Sequence, residues 1–457
     1  MSNRVRVLRS ERKPIGPFRE VNPNAAGVDA GSQVHWVSVP EDRDEEPVRK
    51  FGTFTEDLYA LADWLIGCRI TAVAIEATGV YWIPLFEVLE ARGLDVKLVD
   101  SRSIGRRNKK TDVLDCQWLR QLHTYGLLDG AFRPSAEVMP LRAYMRERRM
   151  LIEYGSDHIR HMQKALDLMN LKLHLVLSDI TGVTGQKIIR AILEGERDPA
   201  VLGSMRDEKC KNSAGTIAKA LIGNYRDEHL FALRVAFELW LVYQKKLADC
   251  DRLIEDQLSK MGKSEPEAKR TETKPKPPRK RRKNQLHFDA QAQLKRITGP
   301  DLTLIEGFQT STVLTIVSET GTDMARWPTD GHFTSWLALC SNNRVTGGKK
   351  LKKKGPKPQP NRAAQAFRMA AQTVARSQTA IGAFFRRIQA RAGWDDAVKA
   401  TAHKLARIFY AMLKNKTEFK PLDANYYEQR YRERLLKSLE KKALSFGFTL
   451  TPTEVVH

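Results

Sequence analysis

The sequence lacks the patterns that mark disulfide-bonded, zinc-binding and membrane-spanning proteins. Its five cysteines stand alone, without a Cys-x-x-Cys pair or a histidine at zinc-finger spacing, so neither disulfides nor structural zinc are expected. No apolar run reaches the roughly 18 residues of a membrane span, and the basic segment 4–12 leads into no signal-peptide core. We therefore expect a cytoplasmic protein without a membrane partner.

Acidic residues are outnumbered by basic ones. Lys and Arg total 77 against 54 Asp and Glu, which gives a formal net charge of +23 at pH 7. A clustered excess of this size is typical of proteins that neutralise nucleic-acid phosphates, although a basic protein without such a partner is the plainer alternative. With 457 residues, 42% of them hydrophobic, the chain can fill the cores of two or three domains.

The first part of the chain, residues 1–135, alternates strand and helix patterns. Three strand-like runs come first, and units of helix and strand follow, which predicts an α/β domain whose mixed sheet carries helices on its faces. The strands are predicted as two within Val28–Val39, one at Val48–Phe54, one at Ala72–Ile75 and one at Val96–Val99; the helices are predicted at Leu58–Ile66, at Pro84–Ala91 and from Asp112.

The rest of the chain is predicted to be helical. Apolar residues recur at helical spacing over 141–173 and 230–258, which indicates an antiparallel coiled-coil arm over 136–260 or, equally well, an ordinary helical bundle. Prolines and a dense positive block predict a linker over 261–289. A mostly helical domain is expected over 290–425, with a helix-turn-helix element around Gly307, and a helical tail over 426–457.

Four carboxylates are the candidate catalytic and metal-binding residues. Two of them end apolar strand-like runs and two open a helix, and they are Asp29, Glu76, Asp112 and Asp115. Mg²⁺ prefers hard oxygen ligands from different elements together with phosphate, so we expect two Mg²⁺ per site, with Mn²⁺ as a substitute. For Asp112 and Asp115 the alternative is helix capping and a favourable interaction with the helix dipole.

A basic, glycine-containing segment near residue 346 is the second candidate site. Its glycines allow close approach of the backbone to a phosphate, and the Thr346 hydroxyl is a candidate nucleophile; a phosphate-binding loop without a covalent role is the alternative. The candidate nucleic-acid-binding residues around it are Arg344, Lys349, Lys350, Lys352, Lys353 and Lys354.

These motifs together resemble the DEDD-type insertion-sequence transposases of the IS110 family, the bridge-RNA-guided recombinases. The resemblance covers nearly the whole chain. In the N-terminal half it is carried by the strand ending in Asp29, by Ile75-Glu76-Ala77-Thr78-Gly79 and by Lys110-Thr-Asp112-x-x-Asp115. In the C-terminal half it is carried by Phe333-Thr-Ser-Trp-Leu-Ala, by the Thr-Gly-Gly-Lys turn, by Asn361-Arg-Ala-Ala364 and by the helix from Ala402 to Tyr410.

The resemblance implies an RNase H-like (RuvC-like) catalytic domain and a C-terminal transposase domain that carries the nucleophile. It implies a recombinase that cuts and rejoins double-stranded donor and target DNA through a covalent link between a side-chain hydroxyl and phosphate. It also implies a structured non-coding guide RNA, whose base pairing selects the target, and a homo-oligomer of dimers that assemble into a tetramer. Such a protein acts on the nucleoid of a prokaryotic cell.

Two departures from the family pattern bear on these expectations. Thr346 stands where the family usually has serine before Gly-Gly, and Ser341 is the nearest other candidate hydroxyl. The segment Ile305-Glu-Gly307-Phe-Gln309 stands where the family often has Ile-Pro-Gly-Ile-Gly. A structure-selective nuclease of the Holliday-junction resolvase type, with water as the nucleophile, and a catalytically silent nucleic-acid packaging protein are the alternative functions.

Overall fold

The chain divides into two compact units in the computed structural model, residues 1–133 and 134–457. The structure describes residues 19–77, 79–100, 104, 111–262, 283–340, 345–346, 349–350, 361–421 and 424–451, with the backbone alone at 345–346, 349–350, 424–428 and 430–431. Within these ranges no helix is both long enough and apolar enough to cross a membrane.

The N-terminal unit is built on a five-stranded mixed sheet, as predicted. The strand order is β3-β2-β1-β4-β5; β2 is antiparallel to both β1 and β3, whereas β1, β4 and β5 run parallel. The strands are β1 (Ala25–Ala30), β2 (His35–Ser38), β3 (Val48–Phe51), β4 (Ala72–Glu76) and β5 (Asp95–Val99).

Helices cover both faces of this sheet. Alternate residues of a strand point to opposite faces, and the buried side chains of Val28 and Ile75 belong to one core together with Leu61 and Leu85 of two helices. The other face is covered by a third helix, whose Leu119 packs with Ala74. The helices are α1 (Thr55–Gly67), α2 (Trp82–Ala91) and α3 (Asp112–Thr124).

The C-terminal unit begins with two long helices, α4 (Val138–Leu168) and α9 (Asp227–Lys260). They are antiparallel: the Gln257 amide near the end of α9 donates to the backbone carbonyl of Glu137 (2.8 Å), just before α4 begins. Short helices fill residues between them, as the sequence predicted, and are α5 (Leu173–Val176), α6 (Val183–Glu194), α7 (Pro199–Ser204) and α8 (Ala214–Ala220).

A buried ion pair fastens the middle of this helix pair. Arg148 of α4 donates to Asp251 of α9 at 2.5 Å, and both side chains are buried. The second carboxylate oxygen of Asp251 lies 2.6 Å from the His287 ring, and Arg148 also donates to the Asn284 carbonyl at 2.9 Å. Because Asn284 and His287 lie near the end of the predicted linker, their contacts with the ion pair fix the point at which the chain returns to the two helices.

The remaining helices form the C-terminal half of this unit. They are α10 (Ala290–Thr298), α11 (Thr310–Thr320), α12 (Asp330–Trp336), α13 (Arg362–Thr373), α14 (Ala380–Ala392), α15 (Trp394–Asn415) and α16 (Ala424–Ser445). Two antiparallel two-residue strands, β6 (Val345–Thr346) and β7 (Lys349–Lys350), lie between α12 and α13 in the chain. The stacked rings of Phe333 and Phe409, with Phe367 edge-on to both, form an aromatic centre of its core.

The predicted helix-turn-helix around Gly307 is wrong in its first half, where Leu302–Leu304 is a single 3₁₀ turn. Gly307 has a positive φ of 81°, and a Cβ there would lie 2.6 Å from the Ala370 carbonyl oxygen of α13. The glycine is therefore needed for close packing against α13, and an ordinary side chain would force the two segments apart.

Candidate active site

The first two candidate carboxylates lie at the ends of neighbouring parallel strands. Val28 of β1 is in register with Ile75 of β4, so Asp29 and Glu76 follow side by side at the same edge of the sheet. Alternation places Asp29 on the same face as Gly27, and Glu76 on the same face as Ala74. Both strand ends therefore present their carboxylates on the face that α3 covers.

Helix α3 approaches β1 at backbone distance. A Cβ on Gly27 would lie 2.4 Å from both the Cys116 carbonyl oxygen and the Arg120 amide nitrogen, so only glycine allows this contact. The sequence analysis did not single out Gly27, although a glycine inside a strand is the usual signal for such an approach. This contact sets the first turn of α3 beside Asp29.

The other two carboxylates belong to that first turn. The side chain of Thr111 caps the helix by accepting from the Leu114 amide at 3.3 Å, so the alternative role of Asp112 as the cap is wrong. Asp112 is exposed, whereas Asp115 is half-buried. The Oδ2 atom of Asp115 is buried and has no hydrogen-bond partner among the described residues. A buried carboxylate oxygen in that state is expected to bind a cation or a donor.

The pKa of the Cys116 thiol is affected by two of the carboxylates. Burial raises its pKa to about 12, and the negative charges of Asp29 and Asp115 contribute to the increase. Cys116 is fully buried, so it stays a neutral thiol. Carboxylates from β1 and α3 both contribute to its electrostatic surroundings.

The four carboxylates share one region of the unit without forming a closed ligand set. No three His, Cys, Asp or Glu side chains in the described part of the chain are close enough together to hold a metal ion. The donor chemistry nevertheless suits Mg²⁺, because it offers carboxylate oxygens from different elements and a buried oxygen that has no partner among the described residues. The structure thus brings the elements together, while the side chains stay apart.

The candidate nucleophile lies in the short hairpin of the C-terminal unit. Thr346 of β6 pairs with Lys349 of β7, with Gly347 and Gly348 between them in sequence. The side chains of Thr346, Lys349 and Lys350 are not described. The other predicted residues of this segment lie outside the described residues and are Ser341, Arg344, Lys352, Lys353 and Lys354.

Two family models match the sequence. Residues 26–171, which contain all four carboxylates, match the model for the DEDD transposase domain of IS110 elements, described as a transposase. Residues 300–386, which contain the hairpin, match the model described as the transposase IS116/IS110/IS902 family. No curated protein matches the chain. Since the two models together cover just over half of its length, the chain belongs to the IS110 family of insertion-sequence transposases.

Proposed function

We propose that this transposase cuts and rejoins DNA through a covalent bond between the Thr346 hydroxyl and a DNA phosphate. The observation that carries the proposal is the convergence of two strand ends and the first turn of α3 on one face of the sheet, with a buried carboxylate oxygen at Asp115. The two family models, one matching the N-terminal part of the chain and the other the C-terminal part, both support a transposase.

The four carboxylates would hold the divalent ions. Their oxygens are the ligands that Mg²⁺ prefers, and Mn²⁺, which accepts the same donors, would substitute. Bound there, the ions would neutralise charge on the reacting phosphate and activate the attacking oxygen. We assign this role to Asp29, Glu76, Asp112 and Asp115.

The covalent step conserves the number of phosphate ester bonds. The Thr346 hydroxyl oxygen forms a bond to phosphorus, the bond from phosphorus to the neighbouring nucleotide's oxygen breaks, and the proton lost by the threonine balances the one that the leaving hydroxyl gains. Attack by a hydroxyl of another DNA strand reverses this exchange and rejoins the DNA. No external energy source is needed, because each broken ester is replaced by a new one.

The proposed domain assignment follows from these roles. Residues 1–135 would be the RuvC-like, RNase H-like catalytic domain, in keeping with the order and directions of its five strands. Residues 136–260 would form a coiled-coil arm, 261–289 a basic linker, 290–425 the transposase domain with the nucleophile, and 426–457 a helical tail. The long antiparallel pair α4 and α9 supports the arm.

A structured non-coding RNA would select the target by base pairing, leaving the protein to recognise backbone and shape. The net charge of +23 supports polyanionic partners, here donor DNA, target DNA and RNA. Dimers assembling into a tetramer would bring the carboxylates and hydroxyls of different copies to each cut. Sequencing the RNA that co-purifies with the protein tests guidance: one defined transcript is expected, and random cellular fragments would contradict it.

A denaturing gel with labelled DNA and Mg²⁺ tests the covalent mechanism. Wild type is expected to leave protein attached to labelled strands, and Thr346→Ser should keep the adduct because it retains the hydroxyl. Thr346→Ala should abolish it, while Ser341→Ala serves as the matched control for the neighbouring hydroxyl. If Thr346→Ala forms the adduct and Ser341→Ala does not, the nucleophile is Ser341 and our assignment is wrong.

The second candidate function is a resolvase-type nuclease that uses the same carboxylates with water as the nucleophile. The observation that favours it is threonine at position 346, where the extra methyl group makes a hydroxyl more crowded for attack on phosphorus. It predicts Mg²⁺-dependent cleavage that leaves free DNA ends and no attached protein. The same gel therefore separates the two functions.

A further inference from the structure

The C-terminal unit contains a cleft of about 850 Å³ that the proposed chemistry does not use. One wall is a face of α4, and the others come from α11, α12 and the start of α13. The side chains that line it include Arg142, Arg146, Glu319, Trp336 and Arg362.

A cluster of three arginines around one buried glutamate dominates this cleft. Glu319 of α11 is 5% exposed. Arg142 donates to it at 2.8 Å, and Arg146 donates with two nitrogens at 2.9 and 3.0 Å. Arg362 lies 4.0 Å from the same carboxylate. Three guanidinium groups thus face one carboxylate. The cleft is also lined by one further arginine and two further glutamates, so its lining carries four arginines against three glutamates and keeps a net positive charge of one.

The electrostatics of the arginines agree with that excess. Burial, together with the positive charge of Arg146, lowers the pKa of both Arg142 and Arg362, because Glu319 does not fully compensate them. Burial by itself would raise the pKa of Glu319, but hydrogen bonding and charge from the arginines outweigh it, and its pKa is lowered. Glu319 is therefore ionised and holds the guanidiniums in place, and an additional anion would be stabilised in the cleft.

The residues that line the cleft stand on both sides of Thr346 in the sequence. Trp336 comes ten positions before it, and Asn361 and Arg362 follow it by 15 and 16 positions; all three line the cleft. A ligand bound here would therefore contact residues that flank the nucleophile segment in the chain. The ligand for such a place must be anionic, and planar guanidiniums bind phosphate oxygens through paired hydrogen bonds.

We infer that Arg142, Arg146 and Arg362 bind a backbone phosphodiester of nucleic acid, with Glu319 as the positioning residue that orients them. The inference deepens the proposed function, on which it rests for the nature of the ligand. A phosphate held by residues that flank the nucleophile segment in the chain would help to position the strand for attack by the hydroxyl. DNA and RNA share this chemistry, so the test has one arm for each.

Fluorescence anisotropy of the full-length protein tests the inference without Mg²⁺, so that binding is separated from cleavage. A labelled DNA duplex and a labelled RNA hairpin are titrated at salt concentrations from about 50 to 200 mM. Arg142→Gln/Arg146→Gln should weaken binding roughly tenfold or more and lower the slope of log K against log salt by about two. If the variant loses affinity for only one of the two, DNA or RNA, the bound phosphate belongs to that nucleic acid.

A matched control and a second variant distinguish a loss of binding from a loss of folding. Arg160→Gln/Arg252→Gln removes the same formal charge from exposed positions of α4 and α9 and should change the slope little. Arg362→Gln leaves the two close partners of Glu319 in place and should lower the slope by about one. If the folded cleft variants bind both DNA and RNA with the wild-type slope, the inference is wrong. Failure of the proposed function would show separately, as absence of the covalent adduct in wild type.

Discussion

The backbone carbonyl of Cys116 lies against the α-carbon of Gly27, so closely that a Cβ on Gly27 would lie 2.4 Å from the carbonyl oxygen. This contact joins the strand that carries Asp29 to the helix that carries Asp112 and Asp115. The spacing of the candidate site therefore depends on a residue that has no functional group.

Gly27→Ala is expected to destabilise the protein and reduce cleavage. The neighbouring atoms belong to the backbone of α3 and cannot rotate away, so the helix must shift, at a cost of about 1–3 kcal/mol. Thermal unfolding measures this cost. The control is Gly67→Ala, since a Cβ there meets nothing within 4 Å. Equal stability of the two variants would contradict this packing.

Asp115→Asn is expected to remove the stabilisation that Mg²⁺ gives the protein. A ligand that binds only the folded state raises stability by about 2.7 kcal/mol at 100 times its dissociation constant, and the variant lacks one of the proposed ligands. Without Mg²⁺ the variant should be as stable as wild type or more so, because the buried Oδ2 has no partner among the described residues.

The measurement is the melting temperature with and without Mg²⁺, which does not depend on activity. Glu56→Gln is the control, because this exposed acid lies in the first turn of α1, on the opposite face of the sheet. An identical Mg²⁺-induced shift in wild type and Asp115→Asn would remove Asp115 from the metal site. DNA binding should persist in both variants.

Acid is expected to destabilise the N-terminal unit through His123. Burial, with the nearby Lys97 charge, lowers the pKa of His123 to about 4 from 6.5, and neither buried ring nitrogen has a partner among the described residues. The unfolded state therefore binds the proton first as pH falls. Neutral His123 contributes its full stabilisation, about 3 kcal/mol, above about pH 6.5. This contribution is lost as the pH falls from 6.5 to 4.

His123→Leu should abolish most of this pH dependence, because leucine fills the apolar site without titrating. Unfolding midpoints at pH 7 and pH 5 measure it. His35 is also buried with a lowered pKa and contributes in the same direction, so some dependence remains. His161→Leu, an exposed position on α4, is the control. If His123→Leu loses as much stability between pH 7 and pH 5 as wild type does, the prediction is wrong.

Asp251→Asn is expected to cost about 3–5 kcal/mol, because it leaves the buried Arg148 charge without its partner. Urea unfolding of the variant measures the loss. Asp249→Asn provides the comparison, since Asp249 pairs with the exposed Arg252 on the same helix and should change stability by less than about 1 kcal/mol. Similar costs for both variants would show that the buried pair is not needed for the α4–α9 contact.

Local sequence pattern predicted most elements of the N-terminal unit. The buried run Ala72–Ile75 and the two short runs around Gly31 have the periods of strands, and the structure confirms all three strands with shifts of a few residues. Helix α14 (Ala380–Ala392) lies where the sequence predicts only a mostly helical domain, without bounds for this helix, and Leu302–Leu304 is a 3₁₀ turn where the sequence predicts part of a helix-turn-helix. In these segments neighbours distant in sequence decide the conformation, and periodicity does not report them.

The residues of the candidate site likewise fall into those that the sequence identifies and those that only the structure shows. Asp29 and Glu76 were identified because a carboxylate at the end of an apolar strand is costly without a cation, and the structure confirms that their strands are neighbours. Glu319 was missed, because it sits among ordinary helical residues and its partners Arg142 and Arg146 lie more than 170 positions earlier. Only the packing of α11 on α4 shows that its charge is buried.

The sequence by itself determined the alternation of strands and helices, the excess of positive charge and the four carboxylates, because each of these is a local or summed property of the chain. The tertiary structure decided which face of the sheet Asp29 and Glu76 share, how closely α3 approaches at Gly27, and which arginines surround Glu319. Those relationships depend on burial of surfaces between distant segments, and burial is settled only when the whole unit packs.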